Sequence, residues 1–207
     1  MVVGERTLSK AIQLLEEVKR VSDGELPFFT SDQWEGYPEA LLEVFGVWET
    51  PPRTGKRGRP RGPRLVPPPA LDYAQVVKTK AKGRVVKVER TVVFGDPERI
   101  VQRLADSPVS RRVNTSFVER HNGTLRQSCR RLTRKTNGFS KEQPPLAAHL
   151  EVCRAYYHWV RPHGGLRVKT RDGKHQERTP AMAAEVTDHV WSVEELLGVV
   201  IPPEYLQ

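Results

Sequence analysis

Apolar residues recur every three or four positions along several stretches of this chain, and elsewhere they cluster in short β-branched runs. Leu8, Ile12, Leu15 and Val18 share one face of a predicted helix that Thr7 or Ser9 caps. Asp23-Gly24 signals a turn, and Leu26-Pro27-Phe28-Phe29-Thr30 then reads as a short buried strand with Ser31 and Asp32 at its exit. Trp34, Tyr37, Leu41, Leu42 and Phe45 predict a helix packing back on that strand. Two β-branched runs, Tyr73 to Lys80 and Arg84 to Phe94, flank Ala81-Lys82-Gly83 in the pattern of a β-hairpin. Its second arm is the expected last strand of a sheet. Glu98 to Leu104 predicts a short helix ending before Pro108. Phe117, His121, Leu125, Cys129 and Leu132 predict a helix running from Asn114 or Thr115 to about Arg134, with these side chains facing a core. Leu146, Leu150, Cys153 and Tyr157 predict a partner helix from Leu146 to Trp159. Val190, Trp191, Leu196 and Leu197 predict a short terminal helix docked by Trp191. Helices interleaved with strands make this an α/β chain.

The periodicity fails between Glu49 and Pro69. Arg53 to Arg64 holds six basic residues and no acid, and Pro67-Pro68-Pro69 follows. Such a segment is expected to be extended, mobile and able to lie on phosphates. The whole chain of 207 residues carries a formal net charge of +9, with arginine outnumbering lysine. Clustered arginine favours a polyanionic partner, nucleic acid first. Two cysteines without finger-like spacing argue against a disulfide scaffold. His149 and Cys153 stand one helical turn apart, with His158 and His163 nearby. No second Cys/His pair follows at finger spacing, and the zinc reading is set aside. No run of about 18 apolar residues predicts a membrane span, and no signal-peptide pattern opens the chain. A cytoplasmic protein is expected.

Glu119 is the only acid between Ser107 and Lys141, and the same stretch holds Arg120, Arg126, Arg130, Arg131, Arg134 and Lys135. Glu119, Gly123, Arg126 and Arg130 share the polar helix face. A lone carboxylate there is either a salt-bridge partner for a neighbouring arginine or a metal ligand on a helix that meets a phosphate backbone. The run V-N-T-S-F-V-E-R-H-N-G-T-L-R-Q-S-C-R-R-L-T-R-K-T-N-G-F-S-K resembles the last catalytic block of the DDE transposases of short bacterial insertion sequences. The likeness is to the insertion-sequence-one type, where E-R-H-N, L-R-Q, R-L-x-R-K and F-S-K recur in that order. It implies that Glu119 is the third acid of the catalytic triad.

The resemblance extends to V-V-G-E-R-T, the helix after it and F-T-S-D-Q-W-x-x-Y, and implies that Asp32 is the second acid. A plain helix N-cap is the alternative role for Asp32. The implied fold is ribonuclease-H-like, a mixed sheet flanked by helices, here incomplete and interrupted by the basic linker and the hairpin. Val2-Val3-Gly4 would end the third strand. No aspartate precedes Asp23, so the first acid and first two strands are expected upstream, and the chain reads as an N-terminally truncated transposase. Its expected parts are residues 1–48, the first part of the core; 49–72, the linker; 73–175, the hairpin, last strand and glutamate helices; and 176–207, a tail. Asp32 and Glu119 lie 87 positions apart, a wider spacing than the family's, which the linker and hairpin account for. R-P-H-G-G-L at Arg161–Leu166 and T-P-A-M-A-A at Thr179–Ala184 resemble the closing blocks of many such enzymes.

The implied chemistry is DNA strand cleavage and transfer with two Mg²⁺ ions (or Mn²⁺) held by Asp32 and Glu119. Arg120, Arg126, Arg130, Arg131, Arg134 and Lys135 are the expected DNA contacts. The partners are double-stranded DNA, as element ends and target, and further copies of the chain on that DNA. A nucleoid-associated place in a prokaryotic cell follows. With two acids matched, the chain alone is expected to be inactive. The alternative is a non-catalytic DNA-binding remnant that interferes with full-length transposase.

Overall fold

The computed structural model describes residues 2–52, 61–133 and 136–200. The chain forms two compact units, divided after Arg120.

In the first unit, α1 (Leu8–Val21) starts at Thr7, whose hydroxyl accepts from the Lys10 amide, and ends with Lys19 and Arg20, favourably placed against the helix dipole. β1 (Phe29–Asp32) and α2 (Gly36–Phe45) follow. β2 (Val47–Glu49) pairs antiparallel with β3 (Arg64–Val66). β4 (Tyr73–Ala81) and β5 (Arg84–Phe94) form the hairpin. Its turn places Lys82 at φ 49° and Gly83 at φ 79°, the left-handed pair that a two-residue hairpin loop requires. α3 (Pro97–Asp106) is capped by Asp96, and α4 (Ser116–Ser128) begins in this unit and ends in the second.

The sheet order is β1-β4-β5, with β1 and β4 parallel and β4 and β5 antiparallel, a mixed sheet flanked by helices. Alternation along the strands divides the core in two. Phe29 and Tyr73 pack with Ala11, Leu15, Ala40, Leu41 and Phe45 of α1 and α2. Phe28, Ala74 and Val76 pack with Leu104 and Val113.

Asp72, just before β4, has no exposed surface. Its carboxylate accepts from Arg99 (2.6 Å) and Arg103 (2.9 Å) of α3. Burial alone would raise its pKa, but the two guanidinium groups together outweigh it and hold the group below the usual carboxylate range. Gly95 has φ 95°, and a Cβ there would strike the Asp72 carboxylate. Only glycine fits at this approach of backbone to side chain.

The second hairpin arm, β5, is the end strand of the sheet as expected, and the first arm, β4, lies between it and β1, its N-terminal half carrying the buried residues. Two expectations change. Val2-Val3-Gly4 is in no strand. The span from 49 to 72 holds β3 and ends in the fully buried Leu71 and Asp72, so apolar burial and an ion pair order its end. Residues 53–60, most of the basic cluster, lie outside the described residues.

In the second unit, α5 (Gln143–Trp159) is followed by a small hairpin of β6 (Val168–Lys169) and β7 (His175–Gln176), then α6 (Pro180–Ala183) and α7 (Val193–Gly198). Trp191 lies 4.4 Å from Trp159, ring centre to ring centre, and donates its indole N–H to Thr187, the expected docking. The predicted helix to Arg134 is shorter than expected. Cys129 takes extended backbone (φ −114°, ψ 101°), and a 3₁₀ turn over Arg130–Leu132 replaces the last helical turn. The expected core face is also largely open. No residue of α4 is buried, Phe117 is 54 % exposed, and only Cys129, past its end, is fully enclosed.

Candidate functional site

Glu119 occupies the first turn of α4, where the helix dipole favours a negative charge. Its Oε1 accepts from Lys78 Nζ of β4 at 2.5 Å and from the Thr115 hydroxyl at 2.8 Å. Lys78 and then Thr115 hold its pKa below the usual carboxylate range. The salt-bridge partner is therefore a sheet lysine, not an arginine one or two turns along the helix. Oε2 makes no protein hydrogen bond among the described residues, and the side chain is 57 % exposed.

Asp32 is the last residue of β1. Its Oδ1 accepts from Arg6 at 2.6 Å, and Arg6 stacks over Trp34 at 4.9 Å. The Asp32 side chain caps no helix, since α2 begins at Gly36 without a side-chain cap. Its second oxygen also makes no protein hydrogen bond among the described residues, and the side chain is again 57 % exposed. Asp32 is the register partner of Val76, two residues before Lys78 on the same strand. Two strand residues span about 6.6 Å. Lys78 thus links Glu119 to the end of the β1/β4 pair at which Asp32 stands.

Arg120, Arg126, Arg130 and Arg131 are all exposed, whereas Arg134 and Lys135 lie outside the described residues. The far half of the β4/β5 hairpin adds Lys80, Lys82 and Arg84, exposed and unforeseen from the sequence. Alternation of Lys78 and Lys80 along a β-branched run was the available signal. The two closing blocks serve local structure. His163 accepts from the Gly165 amide in a 3₁₀ turn, and Thr179 caps α6.

A second cluster lies in the second unit. Cys129, His149 and Cys153 bring their ligand atoms within 4.8 Å of one another. Only the helical spacing of His149 and Cys153 is visible in sequence; Cys129 arrives through the packing of the chain after α4 on α5. Among the described residues no helix is long and apolar enough to cross a membrane. No protein-family model, no curated protein and no solved structure matches this chain.

Proposed function

We propose that Asp32 and Glu119 are the second and third acids of a DDE-transposase-type centre, on an incomplete ribonuclease-H-like fold, for cleavage and transfer of double-stranded DNA. The observation that carries this reading is that Glu119 is held by Lys78, two residues along β4 from Val76, the register partner of Asp32, and that each exposed acid has one oxygen engaged by a single cation and the other open. Hard carboxylate oxygens are the donors Mg²⁺ or Mn²⁺ prefers, so the residues fit such an ion. Two bound ions supply an activated water or 3′-hydroxyl and a stabilised leaving oxygen. Lys78 and Arg6 balance the acids' charge. Arg120, Arg126, Arg130 and Arg131 bind phosphates and orient the duplex, and Lys80, Lys82 and Arg84 of the hairpin are further phosphate contacts.

The motif calls for three acids and this chain matches two. That favours a second reading for residues 1–207 alone, binding of DNA without cutting it, so that the chain competes with complete enzyme for DNA. A duplex-binding titration against salt tests the shared part. If about five phosphates are neutralised, log K falls with log salt at a slope near −4 to −5. A slope near zero would remove DNA as the partner. Strand cleavage by the chain alone with Mg²⁺ would remove the second reading.

A further inference from the structure

We infer that Cys129, His149 and Cys153 form a binding site for Zn²⁺ or a similar thiophilic cation, separate from the two acids. The chain has only two cysteines. Both sit in this one cluster, with a histidine whose ring joins them, and the three ligand atoms fall within 4.8 Å of each other. Chance packing of thiols needs no histidine. His149 and Cys153 are one turn apart on α5, a spacing that aims both side chains at one point beside the helix. Cys129 reaches that point because the chain leaves helical geometry there and its side chain is wholly enclosed.

Zn²⁺ binds sulfur at about 2.3 Å and imidazole nitrogen at about 2.0–2.1 Å in a tetrahedron. Ligand atoms around such an ion stand roughly 3.5–3.8 Å apart, so the cluster needs to contract by about 1 Å. His149 and Cys153 are half-buried, and rotation of their side chains is the movement that would close the cluster. The soft donors select zinc over Mg²⁺, which takes oxygen. No other Cys, His, Asp or Glu joins the group among the described residues, leaving the fourth position to water. On binding, both thiols become thiolates and release two protons to the buffer; no electron moves. The ion would pin the end of α4 to α5 and fix the turn from which Arg130 and Arg131 project.

The test uses the whole chain, purified under reducing conditions, and Zn²⁺ or Co²⁺ alone as probe. Elemental analysis should find one zinc per chain after dialysis. Co²⁺ should give thiolate-to-metal charge-transfer absorption and the intense visible bands of a tetrahedral site. Cys153→Ser and His149→Gln, both at half-buried positions, should lose stoichiometric zinc while keeping the wild-type circular dichroism, and His149→Cys should restore it. Cys129→Ser should behave likewise; should it misfold, the other variants decide. Zinc content unchanged in Cys153→Ser, a pale octahedral Co²⁺ spectrum, or a Cys129–Cys153 disulfide in place of zinc binding would each overturn the proposal.

Discussion

Asp72 and Glu119 are both carboxylates held by basic side chains from another element of the first unit, yet their surroundings share little else. Asp72 is fully enclosed, and both of its oxygens are taken by two arginines of α3. Glu119 is more than half exposed, and one oxygen carries all its contacts. Both have pKa values below the ordinary range, so a lowered pKa does not tell the two roles apart. Burial and the unused oxygen do. A carboxylate saturated inside the core has nothing left to offer a ligand, whereas one held by a single lysine at the surface costs little to release.

Removing each carboxylate in turn should separate their roles. Asp72→Ala should destabilise the protein by about 2–4 kcal/mol in urea unfolding, below the full penalty of a buried pair because Arg99 and Arg103 can return to water. Glu119→Gln should cost under about 1 kcal/mol, as exposed pairs do. Equal losses would mean that Glu119 is structural too.

Gly95→Ala probes the same buried node from the backbone side. A methyl group at φ 95° would push against the Asp72 carboxylate, and about 1–3 kcal/mol of stability should be lost. Thermal or urea unfolding equal to wild type would show that the node yields easily.

Acid should also separate the two carboxylates. A carboxylate with a lowered folded pKa adds stability that is present above its unfolded value, about 3.9 for Asp, and lost as pH falls through the folded value. Urea unfolding between pH 6 and acid should therefore show a decline that Asp72→Asn largely flattens and Glu119→Gln barely changes. A profile that follows Glu119 instead would reverse the assignment of the two nodes.

Much of this contrast was legible in the residues and some was not. Thr7–Val18, Trp34–Phe45 and the hairpin follow from local periodicity and turn chemistry, and all form as expected. Glu119 stands out as a single acid among arginines. Asp72 does not, because its partners lie 27 and 31 positions away and nothing local marks them. Cys129 is equally silent: its periodic spacing reads as helix, and only the packing on α5 brings it to His149 and Cys153. The helix itself stops early because periodicity reports which face is apolar and says nothing of where backbone geometry changes.

Smaller effects are expected at the hairpin. Lys80→Ala or Arg84→Ala should each lower the salt slope of duplex binding by about one, if that strand pair lies on the backbone. Glu119→Gln should leave the slope unchanged, since it removes no cation. An unaltered slope in both hairpin variants would confine the DNA surface to the arginines of α4 and the turn after it.

Iron-directed cleavage of the polypeptide reads out whether Asp32 and Glu119 share a divalent ion, as proposed. With Fe²⁺ in place of Mg²⁺, added hydrogen peroxide is reduced at the bound ion to hydroxyl radical and hydroxide, ascorbate returns Fe³⁺ to Fe²⁺, and the radicals cut the nearby backbone. Cuts are expected close to both residue 32 and residue 119 that Mg²⁺ competes away, with both sets lost in Asp32→Asn alone and in Glu119→Gln alone. Cuts at only one of the two positions, or a pattern that neither substitution alters, would contradict the proposal and leave Glu119 as the salt-bridge partner of Lys78.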